Sequence, residues 1–242
     1  MISAPALGFG VVAAFANLMG AWAVTRSARL GLRVIELLFA YAAGFMIALA
    51  LVGVIPEALD NDPEAAAPVI LLGYLLVHLT QHTLTPHFHF GQETHHVSHA
   101  AGLSGIIGLL LHTFFDGVAI ASGFLVSPSL GLLFFLAIFL HKLPEGVTVS
   151  SLVLAAGETP RRAVLAAAAL GAATILGVLL TERTQVLVQH GLALSAGVTL
   201  YVGASNLVPE FQGKKGWGLP AAFFAGAGSF VVAQMLFDRL LA

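Results

Sequence analysis

The chain has 242 residues, of which 58% are hydrophobic and 9% charged, with a formal net charge of −2 and a mean hydropathy of +0.95. A soluble globule of this composition would leave far too much apolar surface in water, so the composition excludes one and implies an integral membrane protein. The small net charge and the lack of a basic, aromatic-rich segment exclude a nucleic-acid partner, and the absence of cysteine excludes disulfides and thiolate ligands.

Apolar runs separated by short connections predict eight membrane-spanning helices, near 5–25, 34–57, 67–85, 99–125, 129–155, 162–181, 186–209 and 217–241. The connections leave no room for a soluble domain, so 1–242 reads as a single all-α polytopic transmembrane domain. Ala21-Trp22-Ala23 imitates a signal cleavage site, but no basic residue precedes the first apolar run, which is therefore read as a helix. Arg26, Arg29, Arg33, Arg161, Arg162, Lys214 and Lys215 fall in the loops after spans one, five and seven, while the other side holds Arg183 and Arg239. The excess of basic residues puts those loops in the cytoplasm and both termini outside. The loop with Glu57, Asp60, Asp62 and Glu64 then faces outward, where it either gathers cations or simply solvates a turn.

The third loop, "HLTQHTLTPHFHFGQETHHVSHA", carries His78, His82, His87, His89, His95, His96 and His99. Such a tract is a compositional metal-binding signal, with 86–99 as its cytoplasmic accessory part. It would either sense or buffer the arriving metal or be a flexible loop with incidental affinity. Uptake should survive shortening of the loop, because a complete site is legible elsewhere.

That site is in spans four and five. "LLLHTFFDGVAIASGF" places His112 and Asp116 four residues apart, and "FLHKLPEGVTVSS" does the same for His141 and Glu145. Each pair lies on one helix face. The helices are consecutive and antiparallel, joined by Ser-Pro-Ser, so two imidazoles and two carboxylates converge near mid-membrane, a donor set suited to zinc or ferrous iron. Charged groups at that depth cost on the order of 2.5–3.5 kcal/mol each, and a merely structural polar network would be built more cheaply from Ser, Thr or Asn. Pro144 removes an N–H and frees the carbonyl of Leu140 beside the site. Gly117 and Gly146, each following a carboxylate, permit close helix approach or a local break.

The pair "HTFFDG" and "HKLPEG" resembles the signature of the fourth and fifth helices of the ZIP (Zrt/Irt-like) divalent metal transporters. Eight helices, outward termini and a His-rich third loop extend the resemblance over essentially the whole chain. It implies that His112, Asp116, His141 and Glu145 are metal ligands, that Met46 in span two contributes to the site, and that inverted three-helix repeats flank the central pair. "GVIPEAL" closing span two and "NLVPEF" closing span seven echo that symmetry; with the orientation above, Glu57 sits at the outer mouth and Glu210 at the inner mouth, where they either serve as entry and exit ligands or merely belong to Pro-Glu pairs that end a helix. The resemblance further implies a homodimer, and movement of spans one, four, five and six against the others.

The reading is a transporter, not an enzyme. It carries a divalent metal as substrate, zinc or else iron, manganese or cadmium, into the cytoplasm through a membrane, the plasma (inner) membrane being the expected one. Metal binds neutral imidazole and ionised carboxylate, so uptake should fall in acid. The alternatives are a membrane-embedded metallohydrolase, with Glu145 as general base to a metal-bound water, and a metal sensor without flux. Many ZIP members resemble one another in holding a second metal beside the first; here Thr113 and Lys142 fill two of the positions concerned, and span six has no carboxylate. Lys142, three residues before Glu145, is expected to stand in for that second cation by neutralising Glu145 or Asp116.

Overall fold

Each apolar run is a helix in the computed structural model, which describes residues 4–26, 32–80 and 99–241. Helix is the economical answer in lipid, where every backbone polar group needs a partner within the segment. In chain order the helices are α1 (Ala4–Thr25), α2 (Leu32–Ala48), α3 (Ile55–Asn61), α4 (Ala66–His78), α5 (His99–Val126), α6 (Pro128–Ala155), α7 (Pro160–Thr181), α8 (Gln185–Tyr201) and α9 (Gly218–Leu241). Among the described residues, seven continuous helical stretches are long and apolar enough to cross a membrane, and α4 is a shorter apolar helix of 13 residues. The third expected span, 67–85, continues past residue 80 into residues outside those described. Ser127 and Thr159 start α6 and α7 by accepting the N–H of Leu130 and Arg162, each with proline in the first turn, where a missing N–H costs nothing.

The two Pro-Glu echoes have a structural counterpart. α2 widens into a π-helical turn over Leu49–Val54 before α3 begins with Ile55-Pro56-Glu57, and α8 does the same over Val202–Leu207 before Val208-Pro209-Glu210. Proline in the following turn cannot donate to the ladder, and the wide turn absorbs the mismatch.

Packing follows glycines. A Cβ on Gly20 would lie 2.2 Å from Leu143 O and one on Gly146 2.1 Å from Asn17 O, so α1 and α6 touch backbone to backbone. The same reciprocal contact joins α5 to α7 (Gly117 on Thr174 O, Gly177 on Phe114 O), α2 to α9 (Gly44 on Phe223 O, Gly226 on Tyr41 O) and α4 to α8 (Gly73 on Leu194 O, Gly197 on Ile70 O). In every case the carbonyl belongs to the residue three before the partner glycine, a geometry that supports Cα–H···O contacts.

These clamps divide the helices into two blocks. One holds α1, α5, α6 and α7; the other holds α2, α4, α8 and α9. Exchanging α1 with α7, α2 with α8, α4 with α9 and α5 with α6 maps every clamp onto another. Helices so related run in opposite directions, as inverted repeats require.

Candidate metal centre

The centre lies on facing stretches of α5 and α6. Their hairpin turn is tight because Gly123 and Gly131 leave no side chain between the helices: a Cβ on Gly123 would lie 3.0 Å from Gly131 Cα. From there the two helices run side by side, which brings His112 and Asp116 opposite His141 and Glu145. All four are buried, and one ligand atom from each lies within 4.8 Å of the others. The spacing read from the sequence therefore closes into a single cage.

Asp116 Oδ2 is its hub. His112 Nε2 and His141 Nε2 are each 3.4 Å from it, and Lys142 Nζ is 2.6 Å away. The same ammonium donates to Glu145 Oε2 at 2.7 Å. Lys142 is 0% exposed, which excludes snorkelling to an interface. It neutralises both carboxylates at once where the sequence suggested one or the other. Charge-assisted bonds of this length are the condition for holding three ionic groups out of water.

The imidazoles are oriented differently. His141 Nδ1 is 2.9 Å from Ala137 O, and a carbonyl only accepts, so the proton is on Nδ1 and the Nε2 lone pair faces the cage. His112 Nε2 also points to Asp116, while its Nδ1 is buried without a partner, as is Glu145 Oε1. Glu145 Oε1 is an acceptor already desolvated, and a cation meeting it would remove that cost. Two nitrogens and two carboxylates at this spacing suit a tetrahedral divalent cation.

The remaining expected residues are placed as follows. Met46 is buried in the core-facing stripe of α2. Thr113 turns its hydroxyl back to Leu110 O at 3.0 Å, within its own helix. Glu57 is half-buried and accepts from Asn61 Nδ2 at 3.2 Å, and Glu210 is half-buried at the end of the turn after Pro209. Neither belongs to the four-residue cage. α6 runs unbroken through Pro144, whose carbonyl accepts from Thr148 Oγ1 at 3.0 Å. His78 ends α4 and His99 begins α5, while His82, His87, His89, His95 and His96 lie outside the described residues.

Sequence reasoning passed over four buried polar residues whose side chains have no partner among the described residues: Asn17 on α1, Ser122 on α5, Ser150 on α6 and Ser195 on α8. Asn17 was findable as the lone amide inside the first apolar run. The serines were not, because serine is common in membrane helices as a packing residue.

The sequence model of the family described as "ZIP Zinc transporter" matches residues 78–234. Among curated relatives, "Zinc transporter GufA" of Myxococcus xanthus is 33% identical over 161 residues, 62% of this chain and 63% of that protein. "Zinc transporter ZIP9-A" of Xenopus laevis is 29% identical over 157 residues, 60% of this chain and 52% of the relative. "Zinc transporter ZIP6" of Homo sapiens is 36% identical over 111 residues, 43% of this chain and 14% of the relative. The chain thus matches less than two thirds of the length of each of these relatives. The matched span contains both cage helices, α5 and α6, with the His/Asp and His/Glu pairs that carried the resemblance, and on that ground the chain belongs to the ZIP family.

Proposed function

We propose that the protein is a transporter that moves a divalent cation, zinc first, into the cytoplasm through the cage formed by His112, Asp116, His141 and Glu145. The observation that carries this reading is the convergence of the four ligand atoms within 4.8 Å at full burial. The relatives' names as zinc transporters support the cargo. Met46 contributes from α2, and Glu57 and Glu210 serve as ligands at entry and exit. The His-rich segment 86–99 buffers metal on the cytoplasmic side. The plasma (inner) membrane is the proposed location and a homodimer the proposed assembly.

The chemistry is ligand exchange without a covalent step. The incoming ion sheds water as the imidazole Nε2 atoms and the carboxylates replace it. His141 is held ready by its bond to Ala137 O, so its ring need not reorganise. Lys142 sets the stoichiometry: two carboxylates and one ammonium leave a single negative charge, which one divalent ion converts to a single positive charge. A second divalent ion would leave three uncompensated positive charges in a low-dielectric site, a cost of several kcal/mol per ion. The site therefore holds one ion.

The test is flux of labelled zinc into proteoliposomes containing the purified protein, with manganese, iron and cadmium as competitors. Saturable zinc uptake, reduced by chelation outside, is the expected result. Stoichiometric binding without flux in either direction would refute transport and leave a sensor, and zinc-dependent hydrolysis would point to an enzyme.

A further inference from the structure

We propose that Asn17 on α1 is a positioning residue that receives the Lys142 ammonium when a metal ion takes over its two carboxylates. The proposal deepens the transport reading and rests on it.

The cage contains a conflict. Lys142 Nζ lies 2.6 Å from Asp116 Oδ2 and 2.7 Å from Glu145 Oε2, and Asp116 Oδ2 is also the atom that both imidazoles approach at 3.4 Å. An ion bound to that oxygen at about 2 Å would lie within about 5 Å of an ammonium that kept its place. Positive charges that close in a dry site repel strongly, so the ammonium turns away as the ion enters. It keeps its proton, and a buried cation that leaves one acceptor needs another.

Asn17 meets that need. It is 0% exposed, and neither its Oδ1 nor its Nδ2 has a partner among the described residues. A buried amide left unpaired carries a desolvation cost, and its oxygen is an acceptor that nothing occupies. The α1–α6 clamp fixes its place. A Cβ on Gly146 would lie 2.1 Å from Asn17 O and 3.0 Å from Asn17 Cα, and one on Gly20 would lie 2.2 Å from Leu143 O. Asn17 is thus held against the turn of α6 between Leu143 and Gly146, and Lys142, four residues before Gly146, is on the same face of that helix. Gly10 and Ala14, on the same stripe of α1 as Asn17, meet Val178 and Gly171 of α7. The amide therefore points into the interior of its block.

The other unpaired buried oxygens are placed elsewhere. Ser150 is about 12 Å from Lys142 along α6, and Ser122 about 9 Å beyond Asp116 along α5. Ser195 belongs to the other block, and Glu145 Oε1 is an oxygen that the ion itself needs. The ammonium has three N–H groups, of which Asp116 and Glu145 take two. In the empty cage it bridges the carboxylates; in the loaded cage it rests on Asn17 Oδ1 and both carboxylates belong to the metal. Its charge stays beside the cage in either position, so the site still holds one ion.

Asn17→Leu keeps the bulk of the side chain and removes the acceptor. Zinc affinity is read on purified full-length protein in detergent by competition with a chelating dye, with His141→Ala measured alongside so that binding outside the cage is subtracted. Affinity should fall at least about tenfold, the worth of a hydrogen bond to a charged group. In Lys142→Met, which has no ammonium to house, the same change should alter affinity by less than about twofold. A loss no larger in the parent than in Lys142→Met would overturn the inference: equal losses make Asn17 a packing residue, and no loss in either leaves the ammonium on its carboxylates in the loaded state. Should Asn17→Leu fail to fold, Asn17→Ala is carried through the same cycle. The titration needs no flux, so absence of zinc uptake by the unsubstituted protein in vesicles would remove the transport reading while the coupling between Asn17 and Lys142 is decided separately.

Discussion

Replacing Lys142 by methionine keeps the length of the side chain and removes the ammonium that lies 2.6 Å from Asp116 and 2.7 Å from Glu145. Taking away one member of a buried ionic set leaves the others uncompensated, at a cost of about 3–5 kcal/mol. Here the loss falls on the metal-free protein alone, because a bound divalent ion supplies the missing charge. The variant should thus be destabilised by that amount in chelator and nearly restored by zinc. Most of the difference is returned as affinity, a tightening of roughly 10²- to 10³-fold, and release, hence turnover, should slow correspondingly. Thermal unfolding of purified protein with and without zinc measures the first effect. Calorimetric titration measures the second. A Lys142→Met protein that melts like the parent in chelator and binds zinc with unchanged affinity would refute the reasoning, since the ammonium would then not be the partner of the carboxylates in the empty state.

His141→Ala or Glu145→Ala should abolish saturable uptake with normal membrane insertion, because each deletes a ligand without adding charge; near-normal uptake in both would reassign the site. Gly146→Ala should destabilise by about 1–3 kcal/mol, since the new methyl would meet Asn17 O, whereas Gly8→Ala, which meets nothing within 4 Å, should stabilise by up to about 1 kcal/mol; equal melting temperatures for the two would contradict the clamp geometry. Deleting 87–99 should preserve uptake in the proteoliposome assay, and its collapse at normal protein yield would place an essential step in the loop.

The cage was legible because its signal is local: two ionisable pairs at a four-residue spacing, on consecutive helices joined by a short turn, have one way to meet. The block structure was not. Its glycines are scattered among 26 in the chain, and only the three-dimensional register shows that Gly20 answers Leu143 while Gly73 answers Leu194. The two-sided bonding of Lys142 was half legible, since spacing to Glu145 is a property of one helix and distance to Asp116 a property of two. The wide turns before Pro56 and Pro209 left only the Pro-Glu echo in the sequence, because a π-helical turn has no residue code of its own.

The ammonium also gives the cage an electrical polarity that changes sign with occupancy. Empty, it is an anion; loaded with one divalent ion, it is a cation of equal size. A membrane potential acts on such a carrier at about 2.3 kcal/mol per charge per 100 mV. In the proposed import cycle, with the cell interior negative, the loaded cage would be drawn inward and the empty one pushed back out, so both halves would run downhill in voltage. With Lys142→Met, the loaded cage is neutral and the empty one doubly negative, and the whole voltage dependence of uptake moves to the return step.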